Sequence, residues 1–182
     1  MRATGVVRRI DDLGRVVLPK EIRKTYRIKE GDSLEIFTDR DGQIILRKYS
    51  LIGEMPDFAR EYVESLAQVS GRIVLITDQE HVIAVAGGCR NLIGKEISNQ
   101  LNERLKRREM ILSSKGERKF CLVNEEQEEN ICYQMIMPVI CAGDIVGSII
   151  MMDDNPKNKM GVTEQKLAQA AAGFLGRHME QS

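Results

Sequence analysis

Residues 5–10, GVVRRI, form a short β-prone run, which stops at Asp11-Asp12-Leu13-Gly14, a cluster of turn-forming residues. A second short strand is predicted over Arg15–Leu18. Pro19 has no N–H for a ladder but suits a helix start, so the chain is expected to switch to helix there and run to about Tyr26. Ile22 and Tyr26 share one face of that helix at i, i+4, while Arg23, Lys24 and Arg27 lie elsewhere around the axis. Glu30-Gly31-Asp32 closes it. Strands at Leu34–Phe37 and Gln43–Tyr49 then flank Asp39-Arg40-Asp41-Gly42, whose Asp-Gly pair marks a tight hairpin.

From Asp57 the period changes. Phe58, Tyr62, Leu66 and Val69 recur at helical spacing, with Asp57 placed as a cap, and the preceding SLIGEMP reads as a linker. Strands are predicted at Arg72–Thr77 and Val82–Ala86. A helix capped by Ser98 is expected to reach about Leu112, with Leu101, Leu105 and Leu112 on its apolar side. Strands are expected over Arg118–Val123 and Ile131–Cys141, separated by the acidic run 124–130 as a solvated loop. Ala142-Gly143-Asp144 turns into a last strand, Ile145–Met152, and Thr163 is expected to cap a final helix with Leu167, Ala171, Phe174 and Leu175 on its stripe.

These elements describe an α+β protein in two parts: residues 1–50, a linker at 51–56, and residues 57–182 with a mostly antiparallel sheet flanked by helices. The first part is too short to bury much surface alone, and its short strands leave unpaired edges. Dimerisation is the natural remedy.

Composition sharpens the division. The chain has no net charge, but residues 1–29 hold nine Lys/Arg against three Asp/Glu, and residues 49–182 hold fifteen against nineteen. Such asymmetry points to a polyanion partner at the N-terminus, beside the plainer reading of a solvated basic surface. With 42% hydrophobic residues but only 4% aromatic and no Trp, the core must be built from Ile, Val, Leu and Met. The apolar runs are too interrupted to span a membrane. No signal peptide is evident, and the four cysteines form no C-x-x-C pair, so they read as free thiols of a reducing cytoplasm.

The strongest chemical constellation is Arg8, Arg9, Arg15, Arg23, Lys24 and Arg27. Guanidinium and ammonium groups neutralise phosphates and release counterions, so a cluster on a folded unit binds double-stranded DNA with a steep salt dependence. Arginine adds a planar fork for phosphate or guanine.

The run TGVVRRIDDLGRVVLPKEIRKTYRIKEGDSLEIF, followed by DRDGQIILRKY, resembles the AbrB-type swapped-hairpin DNA-binding domain of bacterial transition-state regulators, over nearly all of residues 2–49. The resemblance implies two chains that exchange hairpins into one interlaced β-barrel, with Val16, Val17, Leu18, Ile22 and Tyr26 in its core. It places DNA contacts on Arg8, Arg15 and Arg23, with Arg9 at a usually basic position. Lys24 stands where a second arginine is common, which keeps the charge and loses the fork. It also implies recognition of A/T-rich sites through DNA shape.

The second part resembles a GAF domain, a ligand-sensing fold, through its helix-strand-strand opening and the stretch MPVICAGDIVGSIIMMDD. That resemblance implies ligand sensing, assembly into a homotetramer, or both. It names neither a small-molecule ligand nor a cofactor.

Three rival sites weigh less. In NERLKRREM, Asn102–Met110, the basic residues alternate with Glu103 and Glu109 as on a solvated helix face, against a second DNA contact. Some GAF domains are methionine sulfoxide reductases, but Cys121, Cys132 and Cys141 sit in apolar strand patterns and read as buried; only Cys89, beside Gly87, Gly88 and Arg90, has a loop-like setting. His81 and His178 have no ligand-spaced neighbours. A third reading makes the N-terminal part an antidote-like protein-binding module.

Overall fold

The computed structural model describes residues 5–127 and 130–180. The chain divides into two compact units, Met1–Tyr49 and Ser50–Ser182.

In the first unit, helix α1 covers Lys20–Thr25, with Pro19 as its N-cap rather than its first helical residue. It closes where Arg27 adopts a left-handed φ of 53° and Ile28 N–H donates to the Arg23 carbonyl at 2.8 Å, which satisfies a carbonyl the helix end would orphan. Strands β1 (Leu34–Thr38) and β2 (Ile44–Lys48) pair antiparallel from Thr38↔Ile44 to Leu34↔Lys48. The Asp39 carboxylate accepts from Asp41 and Gln43 N–H, so a side chain nucleates this hairpin turn.

The two strands expected before α1 are a correction: residues 5–18 contain no strand in this chain. Their turn does form, with Asp11 Oδ1 accepting from Leu13 N–H at 3.0 Å and Arg15 N–H at 2.7 Å. β1 and β2 pair only with each other, and neither segment joins the outer edges that this two-stranded sheet leaves open. Val16, Val17 and Tyr26 are exposed, Val17 to 72%, and Leu18 and Ile22 are half-buried. Among the described residues of this unit only Pro19 is buried.

The second unit has three layers. Its sheet runs β4-β3-β7-β6-β5, antiparallel at every junction, from β3 (Ile73–Thr77), β4 (Val82–Ala86), β5 (Ile111–Ser114), β6 (Tyr133–Cys141) and β7 (Asp144–Asp153). One face carries α2 (Pro56–Ser70) and α4 (Val162–Glu180), which bury Ala59, Val63, Ala168, Ala171, Ala172 and Leu175 against Val74, Ile76, Met135 and Met151. The other is covered by α3 (Asn99–Lys106) and the loops, where Leu101 and Leu105 pack on Leu75, Ile136 and Ile150. Alternate residues of one strand thus serve two cores, as the pleat requires.

Glycine fixes two close approaches. A Cβ at Gly147 would lie 1.9 Å from the Thr77 carbonyl oxygen, and one at Gly176 would lie 2.2 Å from that of Ile140, so β7 meets β3 and α4 meets β6 at contacts only glycine permits. The β6–β7 turn, Ala142-Gly143, has φ of 49° and 88°, the twist a two-residue hairpin favours.

Several expectations are revised. Helix α3 stops at Lys106, and Arg108 turns at φ 56°; Ile111 in, Leu112 out and Ser113 in then follow a strand period. Residues 118–123 form no strand, because β5 is the partner of β6. Thr163 lies inside α4. Residues 51–55 pack into the second unit, with Ile52 1% exposed and Ser50 Oγ donating to Asp78 at 2.8 Å. Cys121 and Cys141 are buried, but Cys132 is half-buried and its thiol donates to the Asp154 carbonyl at 3.1 Å.

Candidate nucleic-acid interface

All five candidate DNA-contacting side chains, Arg8, Arg9, Arg15, Arg23 and Lys24, are exposed. Arg8 and Arg9 precede the Asp11–Gly14 turn and Arg15 follows it, so the turn folds these limbs back on each other. Asp11 N–H donates to the Arg15 carbonyl at 3.1 Å, and Arg15 Nε donates to Asp11 Oδ2 at 2.7 Å. The Arg15 backbone N–H and then its guanidinium hold the Asp11 carboxyl below its ordinary range. Arg15 is therefore paired with the Asp11 carboxylate within the turn.

Arg23 and Lys24 sit in the last turn of α1, where cations suit the carbonyl end of a helix. Arg8 shares the exposure of Val6 and Ile10, and its Nη1 donates to the Val7 carbonyl at 3.1 Å. Sequence reasoning passed over two cations on the neighbouring hairpin. Arg47 stacks 5.0 Å above the Phe37 ring, and Lys48 pairs with Asp32 at 3.2 Å, so both have structural employment. Cross-strand pairing, invisible without the register, brings these together.

In the second unit the outer faces of α2 and α4 bring Phe58, Tyr62, Phe174 and His178 into a ring cluster with centroid separations of 4.8–6.4 Å. Burial raises the Tyr62 phenol, which donates to the Ala171 carbonyl at 3.3 Å. Phe174 remains 44% exposed. Cys89 is half-buried in the left-handed region, φ 51°, beside a cleft of about 360 Å³ shared with Gly87, Gly88 and Asp153. Among the described residues no three His, Cys, Asp or Glu side chains converge as a metal site would need, and no helix is long and apolar enough to cross a membrane.

Residues 54–180 match the family described as stage V sporulation protein T C-terminal, transcription factor. The full 182 residues align at 47% identity with all of stage V sporulation protein T of Bacillus subtilis. The chain belongs to the stage V sporulation protein T family.

Members of this family are transcription factors by that description, and the N-terminal unit has its own relatives. Residues 7–53 match the antidote-toxin recognition family MazE of bacterial antitoxins. A 107-residue alignment, 56% of the chain and 94% of the relative, is 39% identical to the transition state regulatory protein AbrB of Bacillus subtilis. The second unit has the GAF fold. It superposes on the GAF domain of an Acinetobacter phosphoenolpyruvate-protein phosphotransferase with TM-score 0.57 at 13% identity, over 74% of this chain and 84% of that one. A free methionine-R-sulfoxide reductase from Thermoplasma acidophilum gives 0.52 at 14% identity, over 69% and 95%, a likeness of fold alone. This family member is thus an AbrB-like unit joined to a GAF-like unit, a transcription regulator of the sporulation type.

Proposed function

We propose that residues 1–50 form the DNA-binding domain of this regulator and residues 57–182 its regulatory domain, in a cytoplasmic protein without enzymatic activity. The N-terminal domain pairs with that of a second chain, exchanging hairpins, and Arg8, Arg9, Arg15, Arg23 and Lys24 contact the phosphates and groove edges of double-stranded DNA. The observation that carries this reading is the exposure of those five cations on a unit whose apolar side chains are also exposed, so that pairing buries the second set while the first faces the DNA. The regulatory domain senses a small molecule and joins dimers into a tetramer through the aromatic outer face of α2 and α4. Two linked DNA-binding faces then act with avidity.

Fluorescence anisotropy on the full chain across a salt series tests this. If a dimer engages about eight phosphates, the log-log slope is roughly −7. Arg15→Ala and Arg23→Ala each weaken binding and flatten the slope. A flat response in the parent protein, or unchanged affinity in both variants, overturns the assignment. A captured protein partner with no DNA protection favours the antidote-like reading. Thiol-dependent turnover of methionine sulfoxide, lost in Cys89→Ser, favours an enzyme.

A further inference from the structure

The second unit is acidic as a whole, yet residues 104–119 carry seven Lys/Arg against two Glu. They border a groove of about 750 Å³. One wall is α3 with the residues just beyond it, which contribute Glu103, Arg104, Arg107 and Glu109; the other is the turn that contributes Arg118 and Lys119. Arg104 is half-buried and ties the walls together, its Nη2 donating to the Arg118 carbonyl at 2.8 Å.

Helix capping explains part of this pattern, because Lys106 and Arg107 close the carbonyl end of α3. It does not explain why a second segment carries cations to the same groove. At the amide end of the helix Ser98 Oγ accepts from Leu101 N–H and Glu125 from Asn99 N–H, and Asn99 and Gln100 also line the groove.

We propose that this groove binds a small phosphate ester bearing hydroxyl groups. Arginine forks on facing walls suit the paired oxygens of a phosphate, and the volume lies in the range of small-ligand sites and exceeds the needs of a lone anion. Glu109 and Glu103, the latter paired with Lys106, lie on the α3 wall, where their carboxylates accept from hydroxyl donors and repel an unbroken phosphate backbone, which favours a compact ligand over duplex DNA. This inference rests on the reading of the second unit as a sensor and names the class of molecule sensed.

Calorimetric titration of the full chain at low salt, with ribose 5-phosphate and pyrophosphate as probes and ribose as control, tests it. Saturable binding of ribose 5-phosphate, tighter than that of pyrophosphate, and none of ribose is expected, with Arg107→Glu and Arg118→Glu each weakening it about tenfold or more. Both side chains are exposed, so an unchanged melting temperature verifies that these variants fold. No binding of either probe at millimolar concentration, or equal binding by both variants, overturns the proposal. Loss of DNA affinity in these variants without ligand overturns it as well, because the groove is then a DNA contact. If the probe binds and DNA affinity does not respond, the groove stands as a site and the sensing reading fails.

Discussion

Replacing Arg72 with methionine removes the one cation from a buried cluster that ties the start of the sheet to the loop before α4. Its guanidinium donates to Asp153 Oδ2, to Glu164 Oε1 from Nε at 3.1 Å and Nη2 at 2.7 Å, and to the carbonyls of Asn158 and Lys159 at 2.9 and 3.3 Å. The side chains of Arg72, Asp153 and Glu164 are only 12%, 6% and 11% exposed. The methionine stem fills much of the arginine's volume, so the loss isolates the charge. Two carboxylates are then left buried without a counter-charge, which costs about 3–5 kcal/mol. The lower end applies, because Asp153 keeps the Asn155 N–H at 2.7 Å and Glu164 keeps the Gly161 N–H at 2.8 Å. About 3 kcal/mol is a large share of a domain's 5–15 kcal/mol and lowers the melting temperature of a unit this size by about 10 °C.

Urea unfolding followed by far-ultraviolet circular dichroism measures this loss through the midpoint at constant slope. A loss under about 1 kcal/mol refutes the reasoning, since water must then reach the cluster and the pairs are worth no more than surface pairs. A second signature is the pH dependence. Burial pushes the Glu164 carboxyl up, but the Gly161 N–H and the Arg72 guanidinium outweigh it and hold the group below its ordinary value. A depressed carboxyl stabilises the fold above its unfolded value of about 4.3 and loses that contribution as pH falls through the folded value. Without Arg72 part of that lowering is lost, so the difference between the two proteins narrows in acid.

Gly147→Ala drives a Cβ into the backbone of β3 and costs at least about 3 kcal/mol by urea unfolding, whereas Gly143→Ala, with open space at φ 88°, costs about 1–2 kcal/mol; equal losses contradict the close-approach argument. Burial raises the Cys121 thiol, against Arg104 and Gln134, and burial followed by Glu180 and Asp144 raises the Cys141 thiol. Iodoacetamide at pH 8 should therefore label both more slowly than the half-buried Cys89 and Cys132, as read by peptide mass spectrometry, and equal rates contradict it. Unfolding of the N-terminal unit should depend on protein concentration, and a transition unchanged by dilution argues against pairing.

In the second unit most element types were legible, because its strands and helices carry strong periods. Which face of a helix meets the sheet was legible in part. Phe58, Tyr62 and Leu66 of the predicted stripe pack half-buried on the core, beside the fully buried Ala59 and Val63, while Val69 is exposed. Small side chains let α2 and α4 approach the strands closely, and the large rings are displaced to the flank where they stack on one another. The groove beside α3 was half legible: its cationic helix could be read from NERLKRREM, but Arg118 and Lys119 come from a segment expected to be a strand. No local pattern announces that two such segments face each other.

The N-terminal unit fails in a different way, and the failure bears on function. Its β-prone residues 5–10 and 15–18 meet local rules for strands, and the turn between them forms as expected, yet the strands do not. Local propensity and turn chemistry are both satisfied, so what is missing is non-local: the two segments join neither each other nor the open edges of the β1-β2 hairpin in a single chain. Exposed Val7, Ile10, Val16 and Val17 carry the same message as the unformed ladder. Arg8, Arg9 and Arg15 are mounted on these segments, so under the proposed pairing their spacing is set by assembly. DNA affinity is then coupled to assembly: a substitution that weakens pairing, such as Val17→Asp, should reduce DNA binding steeply at low protein concentration and far less at high concentration. Equal loss at both concentrations separates the arginines from the interface and contradicts this coupling.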